Sequence, residues 1–212
     1  METGITSTVA QYVEEVVGKE SFRYISAVVA NCKMLALELE SQDDAGTIET
    51  IDSEALVFAG YLHDISTVVH GFQDHHLKSA RMAVEYLQQL ALPDECIRKV
   101  EQAILLHTTA LAPEQRASAS IEGRILYDAD KLGRLSGLAV VTSLIEFGAR
   151  YPDRAVTGDV LAAILRHIEE RFVELYQSLN TAPAREMARV KFGNTLAFLD
   201  GIIEHLSDAT PV

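Results

Sequence analysis

The sequence predicts an all-α fold of about seven to nine helices, and three observations support this. Apolar residues recur at steps of three and four, most clearly over residues 21–40, where they form one continuous stripe. No segment alternates apolar and polar residues as a half-buried strand does, and no repeat or low-complexity linker interrupts the chain. Because the chain has 212 residues, 48% of them hydrophobic, we expect a single domain over 1–212. Its core would cover about 20–150, with C-terminal helices at about 159–206 packed on it.

Capping residues, glycine and proline set the predicted helix boundaries. Gly18 is expected to end the first helix, and Asp52 or Ser53 to cap the third. Asp74 is expected to cap the fourth helix, and Pro93 stands where a first-turn proline opens the fifth. The predicted helices, in chain order, cover residues 6–17, 21–40, 53–63, 75–90, 93–107, 120–132, 135–149, 159–179 and 183–206.

Three segments between these helices are predicted to be loops. Residues 41–51 are polar and acidic, residues 65–73 contain a glycine, and residues 111–118 contain a proline. A tyrosine, a proline and an aspartate at 151–153 indicate a turn. No strand is needed to connect any of these elements.

Composition excludes several classes of protein. The net charge is −13, with 31 acidic against 18 basic residues, which argues against a protein that coats extended nucleic acid. The N-terminus has no apolar segment of a signal peptide, and no apolar run approaches the roughly 20 residues of a membrane span. The two cysteines, Cys32 and Cys96, are expected to be free buried thiols, with a disulfide as the alternative that the sequence leaves open. We therefore expect a cytoplasmic protein that is not attached to a membrane.

One stretch carries a chemical signal. An apolar run over 55–62 ends abruptly in His63 and Asp64. A helix C-terminus carries partial negative charge and favours a cation. Imidazole with carboxylate is a ligand set for metals such as Zn, Fe, Mn, Co or Ni. The alternative interpretation is a helix that simply ends with two exposed polar residues.

Further candidate ligands lie close by along the chain. Five of the seven histidines fall in one section, at His63, His70, His75, His76 and His107. His63 and His107 end predicted helices and His75 begins one, so the packing of these helix ends would bring the three histidines together. Asp128 and Asp130 follow on a later helix, about 200° apart around its axis, so only one can face a shared site.

At this point the chain resembles the HD-domain metal-dependent phosphohydrolases, an all-α family with a histidine, a His-Asp pair and a distal aspartate. Residues 62–65 resemble the central pair and residues 129–132 the distal element, which favours Asp130 over Asp128. His75, followed by a serine and an alanine, and His107, followed by a threonine, resemble additional ligands of two-metal members. The resemblance covers about residues 20–206 and is closest to a small, uncharacterised bacterial subgroup.

Two departures from the family pattern affect the expected chemistry. The family's first histidine aligns with Tyr24, and the arginine of that motif aligns with Ala27. A neutral tyrosine, with a reference pKa of about 10, is a poorer ligand than imidazole, although it could hydrogen-bond a metal-bound water or bind ferric iron as phenolate. Ser66 and Thr67 stand where the family often has glycine and lysine.

The resemblance implies a role for each candidate residue. His63, Asp64 and Asp130 would hold a divalent metal, and His75 and His107 would add a second ion or bind phosphate. Asp64 would be the central catalytic carboxylate. His76 and Lys131, together with Arg134, would neutralise phosphate oxygens. One or two ions of Mn, Fe, Co, Ni, Zn or Mg are implied as cofactor.

The implied function is hydrolysis of a nucleotide or another small phosphate ester by metal-activated water. A degenerate HD domain that binds a nucleotide or a partner without turnover is the alternative, supported by Tyr24 and the missing lysine. A di-iron oxygenase is a third option. A homodimer through an apolar helix face is left open.

Overall fold

The computed structural model describes residues 4–42, 50–109, 119–135, 137–153, 155 and 157–208. These residues confirm the all-α class, and no strand occurs among them. The predicted loop at 111–118 and most of the predicted loop at 41–51 lie outside them. The helices are α1 (Gly4–Gln42), α2 (Ser53–Leu62), α3 (Thr67–His70), α4 (His75–Gln89), α5 (Asp94–Leu106), α6 (Ile121–Arg134), α7 (Gly137–Arg150), α8 (Gly158–Gln177) and α9 (Ala182–Asp208).

Helix α1 combines the first two predicted helices, with a break at the predicted position. Gly18 has φ 78° and ψ 162°, a backbone conformation that is open essentially only to glycine. The segment after the break places its apolar stripe in the core, where Ile25, Val29 and Cys32 are at most 3% exposed. The amphipathic pattern therefore predicted the buried face of this segment.

Helix α2 is buried on all sides and packs against α1. Its residues from Ala55 to Leu62 are all buried, so α2 forms the centre of the core. Gly60 allows a close approach to α1, because a Cβ atom there would lie 3.1 Å from Val29 Cγ2. The run of apolar residues before His63 thus marks a fully enclosed helix that carries two polar residues at its end.

The N-terminus of α2 is fixed by polar contacts with two other helices. The Asp52 carboxylate caps α2 by accepting from the Ala55 amide at 3.0 Å, which confirms the predicted cap. The Lys99 ammonium on α5 donates to the same carboxylate at 2.9 Å, and the Asp52 amide donates to the buried Glu122 carboxylate on α6 at 2.9 Å. These contacts fix α2 at the end opposite His63.

The prediction of an unstructured loop over 65–73 is wrong in one respect, because it contains the four-residue helix α3. Hydrogen bonds from the His70 and Gly71 amides back to Ser66 and Thr67 close this turn. Gly71 ends it with φ 68°, and Asp74 follows in the left-handed region with φ 54°. Asp74 occupies the predicted cap position, but its side chain makes no capping hydrogen bond.

The chain divides into two compact units, residues 1–130 and 131–212. In the first, Tyr12 of α1 stacks on Tyr86 of α4 with 3.7 Å between ring centroids. In the second, Tyr176 of α8 stacks on Phe192 of α9 at 4.2 Å. The expectation of a single domain with C-terminal helices packed on a core stays a prediction.

Both cysteines are free thiols, with Cys32 buried and Cys96 partly exposed. Within the described ranges no single helix is both long and apolar enough to cross a membrane. In the part of the chain that the structure describes, one bent pair of neighbouring helical stretches, 121–134 and 139–150, reaches the length and composition of a broken span.

Candidate metal centre

The sequence-predicted ligands of the first unit lie at or beside helix ends, except for one that lies within a helix. His63 is the residue at which α2 ends, His75 is the first residue of α4, and His107 is the residue at which α5 ends. Asp64 follows His63 directly, and Asp130 lies on α6. His63, Asp64, His107 and Asp130 are buried, whereas the His75 side chain is 21% exposed.

The structure brings Asp64, His75 and His107 into one cluster. One ligand atom from each lies within 4.8 Å of the others. The Nε2 atoms of His75 and His107 lie 3.5 and 3.7 Å from Asp64 Oδ1, while His63 Nε2 lies 3.6 Å from Asp64 Oδ2. These separations are too long for hydrogen bonds but leave room for a metal ion between the atoms.

All three histidine rings are oriented in the same way. His63 Nδ1 contacts the Gly60 carbonyl at 2.8 Å, His75 Nδ1 contacts the Phe72 carbonyl at 2.9 Å, and His107 Nδ1 contacts the Ile104 carbonyl at 2.5 Å. A carbonyl oxygen only accepts, so each Nδ1 carries the hydrogen and donates it. In the neutral ring the lone pair is therefore on Nε2, which faces Asp64. In metal-binding histidines, a hydrogen bond from the other ring nitrogen, here Nδ1, fixes the orientation of the ring.

The cluster leaves two buried acceptors unsatisfied. His63 Nε2 and Asp64 Oδ1 are buried and have no hydrogen-bond partner. Leaving a buried polar atom unpaired costs roughly 1–3 kcal/mol, and more for a charged group. A cation would satisfy both atoms, so this arrangement fits a divalent metal ion. Two histidines and one carboxylate also match a known non-haem iron ligand set, and zinc accepts the same donors.

The Asp64 carboxyl is ionised in this environment. Burial raises the pKa of this carboxyl, but the electrostatic interactions with His63 and His107 lower it by more. The nearby Asp130 carboxylate opposes them, and the resulting pKa is about 2. At neutral pH Asp64 therefore presents a charged ligand that needs no proton loss before it binds a metal.

Two serines that sequence reasoning did not assign to the site hold its backbone. The Ser79 hydroxyl on α4 donates to the Ser66 hydroxyl at 2.9 Å and accepts from the Ser66 amide at 3.1 Å. The Ser66 hydroxyl donates to the His75 carbonyl at 3.1 Å. Thr67 donates to the Asp64 carbonyl at 2.7 Å. The segment after the His-Asp pair is thereby fixed to the helix that carries His75.

Tyr24 and Asp130 form a pair of their own. The Tyr24 hydroxyl donates to Asp130 Oδ1 at 2.5 Å. Asp130 lies close enough to raise the pKa of Asp64 but is not a member of the three-ligand cluster. The Asn31 amide on α1 donates to the Ala129 carbonyl at 3.2 Å and helps to align the two helices. Tyr24, which the resemblance aligns with the family's first histidine, thus contacts Asp130.

The remaining candidates differ in their placement. His76 lies beside His75, with 5.7 Å between ring centroids. Burial lowers the pKa of His76, and the His75 ring lowers it further, so His76 is expected to be neutral at pH 7. His70 is exposed on α3. Lys131 is buried and Arg134 is exposed, and both belong to the second unit.

Comparison with protein families matches residues 25–135 to the HD domain. This range contains the three-ligand cluster, His63 and Asp130, and it begins directly after Tyr24. The search of curated proteins gives no match.

Solved structures give matches over almost the whole chain. A Lactobacillus plantarum protein matches with a TM-score of 0.72 and 13% identity, covering 99% of this chain and 100% of that chain. Bacillus subtilis YpgQ, solved in complex with ADP, matches with a TM-score of 0.65 and 18% identity, covering 94% of each chain. A predicted HD superfamily hydrolase from an uncultured Thermotogales bacterium matches with a TM-score of 0.59 and 18% identity, covering 94% and 91%. At these identities the matches show a shared fold.

Proposed function

Because this chain belongs to the HD domain family, we propose that it is a metal-dependent phosphohydrolase that acts on a nucleotide or another small phosphate ester. The observation that carries the proposal is the convergence of three histidine Nε2 atoms on the Asp64 carboxylate, where two buried acceptors lack a donor. The similar YpgQ protein was solved with ADP, which supports a nucleotide as the substrate class.

We assign the ion first to Asp64, His75 and His107, whose ligand atoms already lie together. Mixed imidazole and carboxylate donors suit Mn, Fe, Co, Ni or Zn better than Mg, which prefers oxygen ligands. Asp64 presents Oδ1 to His75 and His107 but Oδ2 to His63, an arrangement that suits a carboxylate shared by two ions. His63 and Asp130 are the proposed ligands on that second side.

A divalent ion held here would polarise a phosphoryl oxygen and lower the pKa of a bound water towards neutrality. The protein's own contribution is orientation. The Nδ1 contacts hold the histidine lone pairs in place, and the buried Asp64 supplies the negative charge that retains the ion. His76, neutral at pH 7, would donate a hydrogen bond to a phosphate oxygen rather than neutralise its charge. Lys131 is retained as a proposed phosphate ligand.

The main alternative is a domain that binds a nucleotide or a partner without turnover. The Tyr24–Asp130 hydrogen bond favours it, because one oxygen of the distal carboxylate is already engaged by a residue that replaces the family's histidine. An oxygenase is the third candidate, favoured by the cluster of two histidines and one carboxylate. The oxygenase requires a bound metal, as the phosphohydrolase does, whereas the binding domain does not, so metal content and the reaction together separate the three.

The test is the metal content of untagged protein purified without chelators, followed by phosphate release from a panel of nucleotides and sugar phosphates. We expect about one or two equivalents of a transition metal. We expect His107→Ala to lose the metal and His70→Ala, an exposed histidine on α3, to keep it. Metal without phosphate release would indicate the binding domain, and oxygen consumption without phosphate release would indicate the oxygenase. A protein that neither contains nor binds these metals would contradict the proposal.

Substituting Tyr24 tests whether Asp130 is a metal ligand. Tyr24→Phe removes the hydroxyl that holds Asp130 Oδ1. If Asp130 binds the ion, loss of this support should weaken metal affinity by about 10–100-fold, the usual cost of removing a contact that orients a ligand. Titration of metal-free protein with Mn²⁺ measures this affinity. Tyr151→Phe, at an exposed tyrosine of the second unit, is the matched control. Unchanged affinity in Tyr24→Phe would contradict a supporting role of the Tyr24 hydroxyl for a metal-bound Asp130.

A further inference from the structure

The segment around His75 carries several exposed apolar side chains. Among the described residues, eight large apolar side chains are more than half exposed, and four of these eight fall within ten positions of the chain, at Val68, Val69, Phe72 and Leu77. Phe72 is the most exposed of them, at 73%. Single exposed apolar residues are common, but a local concentration of this kind marks a binding surface.

Phe72 is exposed but is held by an ordered turn. Gly71, directly before it, adopts φ 68° and ψ −177°, a conformation that is open essentially only to glycine. The Phe72 carbonyl accepts from His75 Nδ1 at 2.9 Å, and the Gln73 carbonyl accepts from the Lys78 ammonium at 2.7 Å. The backbone of this turn is therefore fixed before any ligand binds, which reduces the entropy lost on binding.

The same contacts place the Phe72 ring beside a proposed metal ligand. The centroids of the Phe72 and His75 rings are 6.3 Å apart, with an angle of 71° between the ring planes. The His75 Nδ1 hydrogen bond to the Phe72 carbonyl also couples the position of the ring to the orientation of the ligand. One face of the site thus ends in a solvent-exposed aromatic ring.

We propose that Phe72 is the stacking platform for the base of a nucleotide whose phosphate lies at the metal centre. This inference rests on the proposed function and specifies its substrate class as a nucleoside phosphate rather than an ester without an aromatic group. A net charge of −13 gives the protein little general attraction for an anionic ligand, so affinity must come from the ion and from contacts with the neutral part of the ligand. Stacking on an aromatic ring provides such a contact and accepts any base.

The experiment compares AMP with ribose 5-phosphate, which carries the same phosphate and sugar but lacks the base. Both are titrated into the Mn²⁺-loaded protein, and kcat/KM is also measured where turnover occurs. We expect wild-type protein to bind AMP more tightly. Phe72→Ala should weaken AMP binding by about tenfold, the usual effect of losing one stacking ring, and leave ribose 5-phosphate binding unchanged. Phe72→Tyr, which keeps the ring, should bind AMP like wild type.

Phe198→Ala is the matched control, because Phe198 is a 52% exposed phenylalanine on α9 that belongs to the second unit. Equal effects of Phe72→Ala on both ligands, an unchanged affinity for AMP, or no AMP binding by the metal-loaded protein would overturn the inference. If Phe72→Ala abolishes self-association or binding to lipid vesicles while AMP affinity stays constant, the ring belongs to a protein or membrane contact, and the inference is overturned. Base-dependent AMP binding without phosphate release would support the platform and contradict the phosphohydrolase, so the two proposals fail separately.

Discussion

Replacing Asp64 with asparagine is expected to remove both the bound metal and the phosphohydrolase activity. Asp64 is the residue that all three histidines approach, and it provides the negative charge of the cluster. Asparagine is neutral, and its amide hydrogens would bind to a histidine Nε2 lone pair instead of leaving it for an ion. Because a metal Lewis acid contributes several kcal/mol, kcat/KM for phosphate release should fall by about 10³-fold or more.

In the absence of metal, the Asp64→Asn protein should be at least as stable as wild type. The amide of Asp64→Asn can donate to the unsatisfied His63 Nε2, so this variant should unfold in chelator at the same temperature as wild type or above it. Elemental analysis, phosphate release and a thermal melt with chelator measure the three effects. Asp94→Asn, at an exposed aspartate on the first turn of α5, is the control. Retention of stoichiometric metal by Asp64→Asn would contradict the assigned site.

The second large effect is expected from Gly60→Val, which would separate α1 from α2. A Cβ atom at Gly60 would already lie 3.1 Å from Val29 Cγ2 and 3.6 Å from Cys32 Sγ, and valine adds two further methyl groups. Overpacking of a filled core costs about 1–3 kcal/mol, and urea unfolding measures it. Because the Gly60 carbonyl accepts from His63 Nδ1, metal affinity should fall as well.

Two comparisons separate overpacking from a general effect of valine in a helix. Gly148→Val changes a glycine of α7 whose Cβ position is open, so it should lower stability little or not at all. Adding Val29→Ala to Gly60→Val makes room at the contact, so the double variant should be more stable than the sum of the single changes predicts. An additive double-mutant cycle would show that the contact with Val29 is not the cause.

The convergence of His63, Asp64, His75 and His107 could be predicted because each signal is local. An apolar run that stops at a His-Asp pair indicates a buried helix end, and histidines beside cap positions indicate other helix ends. The Gly18 break and the Asp52 cap were predictable for the same reason, since both depend on neighbours within a few residues. The roles of these residues as ligands and of Asp64 as catalytic carboxylate remain proposals.

The contacts that periodicity did not predict depend on residues far apart in the chain or on a strained turn. Tyr24 donates to a carboxylate 106 positions away, and no local pattern indicates this pairing. The Ser66–Ser79 pair joins two elements across a turn whose Gly71 has a positive φ. The short helix α3 lies within that turn and is too short to show apolar periodicity, which explains why the segment was predicted as a loop.

The shared orientation of the three histidines has a consequence for how the protein folds. Each ring is held by a carbonyl three residues earlier in the chain, so its orientation depends on its own short segment and not on distant contacts. Folding then brings together segments that are distant along the chain. A bound ion would then link these segments, and because its site forms only in the folded protein, the free energy of binding would add to the stability of the fold.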